Sequence, residues 1–494
     1  MKRSLTAIAV ALIPLLLAQP AEAQTGLRAY YKDDFILETA NKAFQLKIRG
    51  NVHLDTRLYQ GEERGAPHSF DIRRARMDLQ GRLFGYLTYR VQSELAGKPY
   101  VRNAWIDVRL FSWLRLRLGQ MKVPFSSSWL TLDNNVNFVE RGTSGPMYPF
   151  FDRGFKVWGE LWKGTLIYNL GIYTGAGVDI DNSGGDQDDF KDLAARLVIQ
   201  PFRLLRCRAL RGIYLVAQST WGYMSKPTTR YETGGLRSAN YETAIWRWRT
   251  EQTIGTDGRV TDRVSAGVKD RLRLGAELHY LVGPVTLSAE YLETRYREVS
   301  LYHEHLVGSA AQARELVHYG SGVIRSLSVF ASVYVTGEHK RLTNGGWKTA
   351  KVKKPVSEGG PGAWEVLLRY SWTTTDKRLF KRVPVAGYGP ASPALPPGYT
   401  GATPGTLNSV GVSIVEGAHN VHEFTLGVVW TVNNMFRIQL NNVLLWAPPS
   451  DRDGDGVNDN LLVSGAKSNQ ADLSKKNRKT RWENAVMLRV IFKL

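Results

Sequence analysis

From residue 44 to its end, the chain repeats one pattern: short stretches in which apolar and polar side chains alternate one for one. Successive side chains of a β-strand point to opposite faces, so each stretch is a strand with one apolar and one polar face. Phe44, Leu46, Ile48, Val52, Leu54 and Leu58 alternate with Gln45, Lys47, Arg49, Asn51, His53, Asp55 and Arg57. In FDIRRARMDLQGRL (70–83), Ala75, Met77, Leu79, Gly81 and Leu83 share one face. Arg74, Arg76, Asp78, Gln80 and Arg82 share the other, and Arg73 is out of step. Leu87, Tyr89 and Val91 oppose Arg90, Gln92 and Glu94, and Leu114, Leu116 and Leu118 oppose Arg115 and Arg117. The chain closes on Trp482, Val486, Leu488, Val490, Phe492 and Leu494, which alternate with Glu483, Met487, Arg489 and Lys493. One such strand would suit the wetted face of a soluble sandwich. Repetition along the whole chain demands an apolar surround for one face everywhere.

The compartment supplies that surround. MKRSLTAIAVALIPLLLAQPAEAQ opens with Lys2 and Arg3, runs apolar over 7–18 and ends in the small-x-small site Ala21-Glu22-Ala23. This is the form of a secretory signal peptide, residues 1–23, cut after Ala23. Removing Lys2, Arg3 and Glu22 takes the formal charge from +20 to +19. A basic chain can point to nucleic acid, but an exported one meets little of it, so no nucleic-acid partner is expected. The single cysteine, Cys207, cannot form an internal disulfide. No later apolar run approaches the roughly 20 residues of a membrane helix. With 14 Trp, 22 Tyr and 17 Phe, the alternation predicts an all-β chain, a transmembrane antiparallel barrel of the bacterial outer membrane. A periplasmic segment over 24–43 then precedes the barrel, 44–494.

The connections agree. Tight links at Gly85, Ser112, Lys163, Gly283 and Asn434 separate long ones over 60–69, 123–153, 174–192, 225–269, 298–321 and 446–479. Short turns at one end and long loops at the other are how bacterial barrels sit, with the turns periplasmic. Segments 201–212 and 337–362 are too long for such turns, and both are basic. The count is about 16 strands, enough to enclose an aqueous channel. An Arg on the lipid face at mid-depth costs about 2–4 kcal/mol, so the arginines face the lumen.

Rings of Arg or Lys select anions, because a low-dielectric wall focuses their field into the pore. Arg49, Arg57, Arg74, Arg76, Arg82 and Arg90 are the candidates for a staggered cationic strip. The alternative is that they pair with Asp55, Asp78, Glu94 and Asp107 across neighbouring strands in a neutral wall. DRDGDGVND places Asp451, Asp453, Asp455 and Asp459 around Gly456 as in the first part of an EF-hand loop. Leu462 stands where the closing Glu would be, so these residues form either a Ca²⁺ site or a solvated turn. No other cofactor is expected. Two other functions are open to an outer-membrane barrel. A surface receptor or adhesin would use loop 225–269, with Trp246 and Trp248 between arginines. A hydrolase would need Ser, His and acid at a recognisable spacing, which His53, His279, Ser126 and His422 lack.

FDIRRARMDLQGRL, GQMKVPFS (119–126), VERG (139–142), DRG (152–154), VTGEHKR (335–341), GAWEVLLRYS (362–371) and TLGVVWTVNNMFRIQLNNV (425–443) together resemble the phosphate-selective porins of the O and P type. The resemblance implies a non-enzymatic homotrimer of 16-stranded barrels set in lipid and lipopolysaccharide. A long third loop would fold into the lumen, and arginines would lead small anions such as phosphate to a constriction. It adds Lys122 and Arg141, beside and within the third loop, to the anion pathway. Family members that prefer phosphate use lysines at the constriction; within 123–153 the only basic residues here are Arg141 and Arg153.

Overall fold

A computed structural model describes residues 26–493 apart from 33, 61–67, 98, 176–188, 225–235, 238–243, 249–250, 255–259, 308–309, 381–382, 385–410, 413–414, 451–459 and 464–478. The barrel opens with β1 (Gln45–Gln60), β2 (Ser69–Leu83), β3 (Leu87–Glu94), β4 (Tyr100–Arg109), β5 (Arg115–Lys122) and β6 (Phe151–Leu161). It continues with β7 (Leu166–Tyr173), β8 (Asp192–Ile199), β9 (Ile213–Tyr223), β10 (Val260–Val282) and β11 (Val285–Val307). The last five are β12 (Ala310–Tyr334), β13 (Ala363–Thr375), β14 (Asn420–Thr431), β15 (Phe436–Trp446) and β16 (Trp482–Lys493). Each pairs antiparallel with the next, and β16 pairs with β1 from Asn484↔Gln60 to Lys493↔Asn51, closing the 16-stranded barrel. Beyond Lys493, β1 is paired instead by an N-terminal hairpin of Leu27–Tyr31 and Phe35–Thr39.

Burial is inverted relative to a soluble protein. On the outer face Leu54, Met77 and Leu118 are 49%, 49% and 65% exposed, while His53, Asp107 and Arg489 on the inner face are 0% exposed. The outer face meets lipid, and the closed sheet has no edge strand to leave a row of backbone groups unpaired.

Arg73 is out of step because of a β-bulge. His53 pairs with Arg74 and Leu54 with Ile72, which leaves Arg73 as the extra residue and turns it inward beside Arg74. The expected loops over 225–269 and 298–321 are shorter than their spacing suggested. β10 begins at Val260, and β11 pairs with β12 as far as Val307↔Ala310. These strands run 23, 23 and 25 residues, about 75 Å at ~3.3 Å per residue, far beyond a hydrocarbon core of ~30 Å. Above the bilayer both faces of a strand are wet, so pairing persists where the alternation that would announce it is no longer required. The third loop likewise ends earlier than expected, and Arg153 belongs to β6.

Candidate permeation pathway

The third loop, 123–150, lies inside the barrel. Ser126 caps a single helical turn, α1 (Ser127–Leu130), by accepting from the Ser128 and Trp129 amides. The loop then crosses the lumen on paired charges. Glu140 Oε1 accepts from Arg57 (3.1 Å), Arg73 (3.0 Å) and Arg489 (2.9 Å). Asp133 is bound by Arg76 and lies 3.6 Å from Arg74 and 3.4 Å from Arg141. Elsewhere Arg369 donates to the Glu140 carbonyl (3.0 Å), Asn441 accepts the Val139 amide (2.6 Å), and Tyr148 donates to Glu290 (2.6 Å). The loop therefore touches strands from both ends of the chain.

The basic segment 337–362, which fitted no periplasmic turn, enters the lumen from the opposite end. A small hairpin of Arg341–Thr343 and Gly346–Lys348 meets the third loop. The Trp347 amide donates to Thr131 Oγ1 (2.8 Å) and Thr349 donates to Asn135 (2.8 Å). Asn344 accepts from Asn169 (2.9 Å) and Arg196 (3.2 Å) on the wall. Gly346 is required at the contact. Its φ is +80°, and a Cβ there would sit 2.4 Å from the Ser127 carbonyl oxygen.

On the side of the lumen bounded by β10–β15 the third loop packs into an apolar cluster. Ile245, Trp246, Tyr296, Val299, Leu379 and Leu462 pack with Phe125 and Trp129 of the third loop in one buried cluster. Trp246 is 2% exposed and donates to Thr375 Oγ1 at 2.8 Å. It is thus part of the packing, not a surface available to a partner. His279 lies between Ser288 (2.9 Å) and Glu277 (2.7 Å), a grouping the sequence did not reveal. All three are buried, Glu277 also accepts the Ser127 amide (2.9 Å), and the Trp347 ring packs against the imidazole. The group ties the third loop to the wall. His53 is bound to Asn134 of the loop (2.7 Å), and His422 to Tyr370 (2.9 Å).

A cavity of about 420 Å³ opens between the third loop, the inserted hairpin and the wall of β1–β7. Arg49, Arg76, Arg90, Arg117, Lys122, Lys156, Lys348 and Lys493 line it, against the carboxylates Asp34, Asp78 and Asp133. Of the residues expected on the pathway, Arg49, Arg76, Arg90 and Lys122 are here. Arg49 pairs with Asp34 (2.8 Å), Arg76 with Glu94 (2.6 Å), and Arg90 with Asp78 through two bonds of 2.9 and 2.6 Å. Lys122 donates to the Trp129 and Thr131 carbonyls at 2.7 and 2.9 Å. Arg57, Arg74 and Arg141 hold the third loop instead. Arg82 sits at the turn end beside Glu38 (3.5 Å) and the Lys42 carbonyl (3.0 Å).

Arg117, Lys156, Lys348 and Lys493 were not anticipated on the pathway. Alternation put Arg117 on the polar face, but Lys156 and Lys348 carried no signal of their own. Lys156 donates to Asn169 (3.3 Å), and among the described residues neither lysine is salt-bridged to a carboxylate. The charged neighbours of Lys348 are Arg49, Arg90 and Arg341. The turn with Asp451, Asp453, Asp455 and Asp459 lies outside the described residues.

The family model described as phosphate-selective porin O and P matches residues 46–446, most of this wall and both inserted segments. The chain belongs to that family. The porin is therefore an outer-membrane channel protein of a bacterium. It is 22% identical over 375 residues to an uncharacterized protein of Caulobacter vibrioides, covering 73% of this chain and 67% of that one. Among solved structures, the outer membrane protein OmpT of Vibrio cholerae is similar with a TM-score of 0.48, at 10% identity over 92% of the porin and 98% of that chain. The outer membrane channel DcaP of Acinetobacter baumannii gives a TM-score of 0.45, at 8% identity over 92% of the porin and 99% of that chain.

Proposed function

We propose that the porin is an anion-selective channel through which phosphate or other small anions diffuse passively, working as a homotrimer embedded in lipid and lipopolysaccharide. The observation that carries this reading is the charge of the open cavity, where eight cationic side chains face three carboxylates. The paired arginines form a rigid frame. Their carboxylates cancel much of their charge, so the uncompensated field comes from Lys122, Lys156 and Lys348, which converge on the cavity from β5, β6 and the inserted hairpin. These lysines supply from the wall and the inserted hairpin what the third loop lacks, and they support phosphate as a passenger. An ammonium with several donors can release one oxyanion oxygen as it meets the next, and conduction needs such weak serial sites. A low-dielectric wall keeps the field of each cation inside the water column.

Reversal potentials in planar bilayers under a potassium chloride gradient test the reading. Anion preference is expected, and blockage of chloride current by phosphate would identify an oxyanion site. A cation-side reversal potential would refute it.

A further inference from the structure

The same cavity has a second chemical character. Trp105, Met121, Phe151 and Trp158 from the β4–β6 wall and Leu130 and Leu132 from the third loop contribute to its lining. Their rings are ordered by the cations beside them. The Arg117 guanidinium lies 3.8 Å from the Trp105 ring centroid, and that of Arg115 lies 4.1 Å from the Trp158 centroid. Gly119, opposite Trp105 in the register, leaves the space this packing uses, because a Cβ there would come 2.8 Å from the Trp105 Cα.

An apolar wall gives a hydrated inorganic ion nothing. It strips water from the ion's shell and offers no donor in exchange. A ligand with an apolar body and an anionic head gains on both counts, since burying apolar surface is favourable in proportion to area. At about 420 Å³ the cavity also has the size and mixed lining of a site for small organic molecules, which span about 300–1,000 Å³. We propose that the pathway favours organic carboxylates with an aromatic or apolar body, their carboxylate on Lys348 or Lys156 and their body against Trp105 and Leu132. The inference rests on the anion-channel reading and narrows its substrate class.

The test uses the purified porin in planar bilayers, with benzoate, acetate and phosphate as blockers of chloride current. Benzoate and acetate carry the same head group, so their ratio isolates the body. Benzoate should half-block at a concentration about tenfold below acetate, the effect of roughly one ring's partial burial. In Leu132→Asn the half-blocking concentration of benzoate should rise several-fold while that of phosphate stays put. In Lys348→Gln both should rise. Equal block by benzoate and acetate in the unmodified porin would overturn the organic-anion inference and leave the anion channel standing. A cation-side reversal potential would overturn the anion channel itself.

Discussion

Arg489 on the last strand grips Asp55 on the first with two hydrogen bonds of 2.6 and 2.7 Å, at a register pair of the closing seam. Both side chains are buried, so removing Asp55 leaves the buried charges of Arg489 and Arg57 to share Glu140. Breaking such a pair typically costs about 3–5 kcal/mol. Asp55→Ala should therefore lower the temperature at which the folded barrel loses its compact mobility on gels. An unchanged transition would show that the seam is held by its backbone ladder alone.

The third loop is expected to gate conductance. Deleting 131–143 removes Asp133 and Glu140 and should raise single-channel conductance, and the loss of these two carboxylates from beside Arg57, Arg74 and Arg76 should increase anion preference. Conductance equal to that of the intact porin would place the loop off the pathway.

Two lysines should matter more than three arginines for selectivity. Lys156→Gln with Lys348→Gln should shift the reversal potential toward cations with folding intact, because neither lysine holds a carboxylate. Arg74→Gln with Arg76→Gln and Arg82→Gln should first loosen the third loop, seen as noisy, enlarged conductance. Both effects on selectivity should shrink from 0.1 M to 1 M salt, where the Debye length falls from about 10 to about 3 Å. Should the arginine variant alone lose anion preference in steady, unenlarged steps, the ladder and not the lysines sets selectivity.

The face assignment of β2 can be checked directly. Met77→Lys puts a charge into lipid at a cost of about 2–4 kcal/mol at mid-depth and should reduce the amount of folded porin recovered from membranes. Gln80→Lys, facing water, should assemble normally and change conductance. Equal recovery would mean the faces are misassigned.

Gly346→Ala should separate the inserted hairpin from the third loop. The residue meets a positive φ, which disfavours a Cβ by roughly 1–2 kcal/mol, and a contact 2.4 Å from a backbone oxygen. Wider conductance with unchanged barrel stability is the expected outcome, measured on the same preparation.

Much of the wall was legible because lipid enforces a strict rule on every spanning strand. Arg74, Arg76 and Arg90 were assigned to the lumen by alternation alone, and they face it. The bulge at Arg73 was visible only as a break in phase, since one extra residue is a register event between two strands and not a property of one. Lys348 was unreadable for a different reason. A segment that folds back into water-filled space obeys no periodicity, so 337–362 registered only as too long and too basic. The pairing of Arg76 with Asp133 spans 57 positions, and nothing local in either stretch announces its partner.

The seat of the third loop is shared among residues far apart in the chain. Glu140 is held at once by Arg57 of β1 and Arg489 of β16, and Thr131 by Trp347, 216 positions away. One of the three arginines on Glu140 comes into place only when the last strand has joined the first. The seat of the third loop, and with it the width of the pore, is thus coupled to the joining of the chain's two ends.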